Sequence, residues 1–338
     1  MARQTRIEAE GKIQQEEKFG KTEKRILFEL DRDSTQTLGE IGKRIRKSPQ
    51  YVEYWIKKFI DEKKIDKFMA VIDYKKLGYT DYFIYLSFRA MPPKKEDEFF
   101  EYLKKEKQVN TAYRCYGVWD AVFAALAKDP LELHDILSRI EEKFGENIGN
   151  WTIETHVGSH YFGRNYLSED FEPKAFTPIT GGKVEKVEIE DKDKRILSVL
   201  RENARASTIE LAEDSKLTPD IVRYRTKKLR EAKILLGATL LPDYTNYPYM
   251  FYRILLNIGR LNPEKEKALT NFFASKQNAF RLNRTFGKYE MSVDVEVKNE
   301  EEFRSILSDL KSKFYDILLN FDYLHIWKVE RSCYFVSV

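Results

Sequence analysis

The residues best placed to do chemistry are basic and hydrogen-bonding side chains gathered on one side of two short amphipathic segments. In the first, Gln50, Tyr51, Glu53, Tyr54, Lys57 and Lys58 lie opposite Val52, Ile56 and Phe59, whose i, i+4, i+7 spacing is that of a buried helical stripe. In the second, Asp220, Arg223, Tyr224, Arg225, Lys227 and Lys228 lie opposite Val222 and Leu229, with Thr226 as a weaker core position. Such a face suits a polyanion such as double-stranded DNA. Lys57, Lys58, Lys227 and Lys228, near the helix ends, suit phosphate oxygens, contacts that set affinity and register without reading bases. Tyr54 and Tyr224 either stack on a sugar or bond a phosphate, or they pack against a neighbouring helix.

The elements that must hold these residues are legible around them. Each segment opens on a hydroxyl followed by proline, Ser48-Pro49 and Thr218-Pro219, which caps the first-turn amides and loses no needed donor. Ahead of the first lie Ile26, Leu27 and Leu30, then Leu38, Ile41 and Ile45. Ahead of the second lie Ile196, Leu197 and Leu200, then Leu211. Three short helices ending in an amphipathic one describe a helix-turn-helix. Phe68–Ile72 and Ala238–Leu241 follow as a wing or an exit strand.

All of this occurs twice. KRIL stands at Lys24–Leu27 and at Lys194–Leu197, and the same offset of 170 relates Pro49 to Pro219, Asp73 to Asp243, Gly117 to Gly287 and Phe144 to Phe314. The period is far longer than a solenoid repeat. Behind each helical part, strand and helix patterns alternate. Tyr82–Phe88, Lys94–Lys105, Thr111–Tyr116, Ala121–Ala127, Leu131–Phe144 and Asn150–Val157 give βαββαβ, a ferredoxin-like plait. Phe251–Ile258, Glu264–Ala274, Ala279–Phe286, Met291–Val297, Glu301–Phe314 and Asn320–Val329 repeat it. The expected class is α+β: a polar tail (1–20), winged helix-turn-helix 1 (21–76), plait 1 (77–162), linker (163–188), winged helix-turn-helix 2 (189–245) and plait 2 (246–338). The linker has Pro173, Pro178 and Gly181-Gly182, so the halves need not hold one fixed arrangement.

Bulk properties agree with this division. Hydrophobic residues are 42% and charged residues 34%, which fits folded domains rather than disorder. No apolar run approaches the ~18 residues of a membrane span, and the polar amino terminus lacks an apolar signal region, so a cytoplasmic location is expected. The net charge of +4 is small, but it is uneven: Lys21–Lys76 carries 15 basic and 10 acidic residues, and Leu77–His160 carries 10 and 14. Cys115 and Cys333 are too few for a disulfide framework or a multi-cysteine zinc site. His134, His156, His160 and His325 have no metal-ligand spacing, and no phosphate loop or nucleophile signature occurs. No catalytic residue, metal or cofactor is expected.

The plaits offer a second set of candidates. Gly117 and Gly287 read as turn residues needing an unusual backbone angle. Trp119, with Tyr116, Tyr113 and Tyr79, either lines an effector pocket or belongs to a core or interface. Arg114 with Asp120, and Arg284 with Glu290, either form cross-hairpin ion pairs or turn a guanidinium toward an effector carboxylate.

Residues Ile189 to Leu235 resemble the amino-terminal winged helix-turn-helix of the Lrp/AsnC regulators. Asp193, Ile196, Leu197, Asn203, Arg205, Glu210, Leu211, Val222, Arg225 and Leu229 fall on that family's characteristic positions. The loops Gly117-Val118-Trp119-Asp120 and Gly287-Lys288-Tyr289-Glu290 are similar to the pattern of its effector domain. The resemblance implies transcription regulation through DNA, modulated by an amino acid or other small molecule. Gly117, Trp119, Asp120, Gly287, Tyr289 and Glu290 then become candidate effector contacts together with Arg114 and Arg284. It also implies an intramolecular pseudo-dimer with two reading heads, able to pair further. Trp55 departs from the family's arginine, and Glu53 repels phosphate unless it accepts from a cytosine amino group. Sirohaem decarboxylases look like tandem relatives of the same fold and supply an enzymatic alternative. TAYRCYGVWDAVFA, 111–124, lacks their His-Asn-Tyr-x-Arg and Asn-Leu-Trp-Phe stretches. A DNA-coating architectural protein is the third class.

Overall fold

The computed structural model describes residues 19–168, 178–181, 184, 186–259 and 261–333. The polar tail up to residue 18, with Pro173 and Gly182 of the linker, lies outside the described residues. Helices α1 (Lys21–Arg32), α2 (Leu38–Ile45) and α3 (Pro49–Asp61) open the chain; α6 (Asp191–Glu202), α7 (Thr208–Ser215) and α8 (Pro219–Glu231) repeat their order. Both second helices start on capping boxes: the Thr37 and Ser207 hydroxyls accept from the Glu40 and Glu210 amides, and those carboxylates accept from the cap amides. Both end on a left-handed residue, Arg46 at φ 58° and Lys216 at φ 54°, which turns the chain into α3 or α8. Ile26, Leu27, Ile41 and Val52 are fully buried, as are Ile196 and Leu197, so the helical stripes form the core that their spacing predicts.

The strands after these helices are not wings. β1 (Ile65–Ile72) pairs antiparallel with β7 (Leu235–Pro242), Phe68 facing Leu240 and Ala70 facing Ala238. A lone strand has no partner within its own three helices, and the strand from the other half supplies one. The Ser34 amide donates to the Ala238 carbonyl, and the Ala204 amide to the Phe68 carbonyl, at 3.0 Å each. The Arg205 guanidinium donates to the Ser34 and Gln36 carbonyls. Side chains of both heads share one hydrophobic core. The expectation that the halves need not hold one fixed arrangement is therefore corrected: hydrogen bonds and a common core fix the two heads together.

The rest is one closed sheet with helices outside it. The first half contributes β2 (Thr80–Phe88), α4 (Pro93–Lys105), β3 (Val109–Gly117), β4 (Ala121–Ala127), α5 (Pro130–Phe144) and β5 (Ile148–Tyr161). The short β6 (Pro178–Gly181), within the expected linker, pairs with β5. The second half contributes β8 (Met250–Ile258), α9 (Pro263–Ala274), β9 (Ala279–Phe286), β10 (Met291–Val297), α10 (Glu300–Phe314) and β11 (Leu318–Ser332). The orders β5-β2-β4-β3 and β11-β8-β10-β9 are the same. β5 starts beside β2 and runs on beside β9; β11 starts beside β8 and runs on beside β3. The long last strands thus cover the edges that β3 and β9 would expose, and the sheet closes. Every residue of β4 and β10 is buried, because helices cover one face and the opposite half covers the other.

Candidate nucleic-acid interface

α3 and α8 are anchored alike. The Ser48 hydroxyl accepts from the Tyr51 amide at 3.2 Å, and the Thr218 hydroxyl from the Ile221 amide at 3.4 Å. Val52, Ile56 and Phe59 are buried in one, Val222 and Leu229 in the other. Outside, Gln50, Tyr54 and Lys57 are exposed on α3, and Arg223, Tyr224, Lys227 and Lys228 on α8; Tyr51 and Lys58 are half-buried. Tyr54 and Tyr224 keep 58% and 54% of their surface, so neither is packed away beneath a neighbouring helix. Lys57 pairs with Glu53 at 2.8 Å, Arg223 with Asp220 at 2.5 Å and Lys227 with Glu231 at 3.8 Å. Exposed pairs of this kind are weak and exchange readily for phosphate. Glu53 thus has a local cation partner on its own helix.

Arg225 differs from its outward neighbours. Its side chain is 14% exposed, and its guanidinium bonds Glu190 at 2.5 Å and Asp193 at 3.5 Å, at the start of α6. It ties α8 to α6. Trp55 stands at the matching place in α3, 5.7 Å from the Phe59 ring with the Lys58 ammonium 4.5 Å over its own ring. The first head therefore lacks this ionic tie, and the Trp55 ring packs on side chains of its own helix. Arg225→Ala should lower the melting temperature while leaving the salt dependence of DNA binding near that of the parent chain. Paired thermal and binding titrations check this.

The plait candidates do not gather into one pocket. Arg114 is occupied by Glu330 at 2.6 Å, Asp97 at 2.8 Å and Glu96 at 3.0 Å. Burial would raise the Glu330 carboxyl, but hydrogen bonds from Lys104, Lys328 and Arg114 outweigh it and bring it to about 2. Arg284 pairs with Glu266 at 2.9 Å. The cross-hairpin pairs are thus corrected. Asp120 and Glu290 instead accept from the Phe88 and Ile258 amides, both at 2.7 Å, because each acid sits in its turn and faces the adjoining strand end. Trp119 is buried and its indole N–H donates to the Tyr289 hydroxyl at 3.4 Å, so the two hairpins meet inside the closed sheet.

The glycines also differ. Gly117 has φ +134°, as its turn requires. Gly287 has no positive φ; it is demanded by space. Its neighbours Lys288 and Tyr289 donate their amides to the Glu154 carboxylate at 2.9 and 3.3 Å, and an added Cβ would stand 2.0 Å from Glu154 Oε2 and 2.8 Å from the Ile153 carbonyl. Gly287→Ala should therefore cost about 1–3 kcal/mol of stability by overpacking, measured by urea unfolding.

Two polar clusters escaped the sequence reading. In one, Arg164 bonds Asp31 at 2.5 Å and Glu296 at 3.0 Å, and all three are buried. Tyr161 donates to Asp31 at 2.5 Å, and Tyr166 and Tyr244 donate to Glu296. The cluster joins α1 of the first head to β10 of the closed sheet. In the other, Asp81, Asn110, His156, Arg253, Arg281 and Asn283 line a cavity inside the sheet. Only comparison of the copies signals it, since these polar residues have mostly apolar counterparts 170 positions away. Among the described residues, no cluster of histidine, cysteine or acidic side chains could hold a metal ion, and no helix is long and apolar enough to cross a membrane.

The sequence model of the AsnC-type helix-turn-helix domain matches residues 189–230, from two residues ahead of α6 almost to the end of α8. The chain is similar to the HTH-type transcriptional regulator FL11 of Pyrococcus abyssi, 23% identical over 129 residues, which is 38% of this chain and 83% of the relative. It is likewise similar to FL11 of Pyrococcus horikoshii, 24% identical over 122 residues, 36% of this chain and 80% of that one. Among solved structures, the siroheme decarboxylase NirDL covers 92% of this chain and 93% of its own, with TM-score 0.59 and 12% identity. That likeness is one of fold alone.

Proposed function

We propose that this chain, which carries an AsnC-type helix-turn-helix, is a DNA-binding transcription regulator built as a tandem pseudo-dimer. Residues 21–76 and 189–245 are the reading heads, and 77–162 and 246–338 are ferredoxin-like plaits that hold them. It acts in the cytoplasm, on double-stranded DNA. One observation carries the reading: α3 and α8 keep tyrosine and basic side chains outward, while their apolar stripes anchor in a core that locks both heads together. Two fixed reading helices suit two half-sites of one operator. α8 is the stronger reader, since Arg223, Lys227 and Lys228 are all exposed on it. A sirohaem decarboxylase-like enzyme of the same fold is the second reading; the segment 111–124 lacks the His-Asn-Tyr-x-Arg and Asn-Leu-Trp-Phe stretches expected of such an enzyme, which favours the regulator.

The test is titration of the whole chain with labelled duplexes, selected and random, across a range of salt. A steep fall of affinity with salt, together with preference for selected duplexes, supports the reading. Equal affinity for both would make the protein a coating one. Absence of binding at low salt would end the proposal.

A further inference from the structure

The two heads share a symmetric frame. β1 and β7 pair in a register centred on Met69 and Thr239, with Phe68 facing Leu240 and Ala70 facing Ala238. Met69 and Thr239 are counterparts 170 positions apart, as are Phe68 with Ala238 and Ala70 with Leu240. The pairing therefore exchanges one half for the other about its centre, as a two-fold axis does. The bond from the Ser34 amide to the Ala238 carbonyl and that from the Ala204 amide to the Phe68 carbonyl are one contact made twice. α3 and α8 are capped alike and follow left-handed turns at Arg46 and Lys216. They are thus mounted as two equivalent half-site readers would be.

The side chains on that frame fall into two sets. Tyr54, Lys57 and Lys58 on α3 match Tyr224, Lys227 and Lys228 on α8 in kind and place. Such residues suit sugar and phosphate, contacts that position a helix without reading bases. Nearer the helix starts, the part of a recognition helix that meets base edges, the match fails. Gln50 stands against Asp220, Tyr51 against Ile221, and Glu53 against Arg223, the last a reversal of charge. Gln50, Asp220 and Arg223 are exposed, and the Glu53 side chain keeps 46% of its surface, so the core does not dictate these differences. The local pairings differ too. Asp220 accepts from Arg223 at 2.5 Å and braces its guanidinium beside the helix start, whereas Glu53 pairs one turn further on with Lys57 at 2.8 Å.

We propose that the operator is unlike in its two halves and that the chain sits on it one way round. Arg223 reads a guanine in the half under α8, and Glu53 reads a cytosine at the corresponding place under α3. A guanidinium donates twice to guanine O6 and N7, while a carboxylate accepts from the cytosine N4 amino group. Exchanged, the carboxylate would face two acceptors and the guanidinium a donor. A perfect palindrome thus satisfies one head and mismatches the other. This rests on the regulator reading above and goes beyond it: a fixed orientation gives the bound complex a direction along DNA that a symmetric dimer lacks.

The test selects duplexes from a random pool with the full chain. It then compares three of equal length: the selected duplex and the two palindromes made by doubling either half. The selected duplex should bind at least about fivefold more tightly than either palindrome, since one wrong base pair costs at least that much. Glu53→Arg should raise the palindrome of the α8 half relative to the selected duplex by at least about fivefold, and Arg223→Glu should do so for that of the α3 half. Ratios taken at one salt concentration cancel the general phosphate attraction that each change of charge alters. Repeated selection with each variant should change bases in one half only, a different half for each. Neither residue is buried; thermal melting checks folding, and if one variant fails the other still decides. Selected duplexes with equal halves overturn the proposal and leave the regulator reading standing. Ratios that neither substitution moves, or variants that shift both halves together, overturn it as well. A chain that selects no duplex even at low salt ends the regulator reading, and this inference with it.

Discussion

Replacing Arg164 by leucine should lower the unfolding free energy by about 3–5 kcal/mol, the usual cost of leaving buried charge without its partner. The Arg164 side chain is 4% exposed, Asp31 1% and Glu296 0%, so water cannot take over from the lost guanidinium. Burial opposes the charge on Arg164, but Glu296 and Asp31 hold its pKa well above the usual range. The loss spreads beyond one element. The Arg164 amide also donates to Asp31, at 2.8 Å, and its guanidinium donates to the Tyr244 hydroxyl at 3.2 Å. Helix α1, the segment after β5, the segment after β7 and strand β10 meet at this residue. Urea unfolding of parent and variant measures the difference; a change below about 1 kcal/mol, the ceiling for an exposed pair, would mean that the cluster is solvated.

The second large effect is on DNA. Converting Arg223, Lys227 and Lys228 together to alanine should reduce the dependence of log affinity on log salt by about two to three units, near 0.9 for each phosphate no longer neutralised. Affinity at moderate salt should fall at least about tenfold. None of the three is buried, and each lies on the face away from Val222 and Leu229, so the melting temperature should hardly move. The same change at Lys57 and Lys58 should have a smaller effect, because it removes two cations instead of three and Lys58 is half-buried, its ammonium over the Trp55 ring.

Much of this arrangement was legible in the amino-acid order because its causes are local. Ser48-Pro49 and Thr218-Pro219 place helix starts, and the spacing of Val52, Ile56 and Phe59 names the face that goes inward. Strands such as Ala121–Ala127 and Met291–Val297 were found to the residue. Partners were not legible. A run such as Phe68–Ile72 announces a strand, but nothing in it names Ala238–Leu241 as the strand it pairs with. A Pro- and Gly-containing connection suggested mobility, while the pairings that fix the halves join residues more than a hundred positions apart.

The candidate sites follow the same division. Exposed basic residues on a capped helix were readable. Arg225 was not, since its partners Glu190 and Asp193 come from the start of another helix. Gly287 reads as a turn residue, and only the approach of Glu154 from the opposite half shows why no side chain fits. Asp81, Arg253 and Asp294 look like the solvent-facing members of alternating strands. They are interior because the opposite half of the closed sheet covers the face that alternation assigns to water.

If the protein reads DNA, the outer faces of α3 and α8 must meet a duplex, and hydroxyl-radical labelling of side chains tests this most directly. With a bound duplex, Tyr54 and Tyr224, exposed in the free chain, should both lose labelling, Tyr224 more strongly. Exposed aromatic residues outside the heads, such as Tyr315 and Phe286, should keep theirs. Unchanged labelling at both Tyr54 and Tyr224 in a demonstrably bound complex would contradict this placement of the duplex.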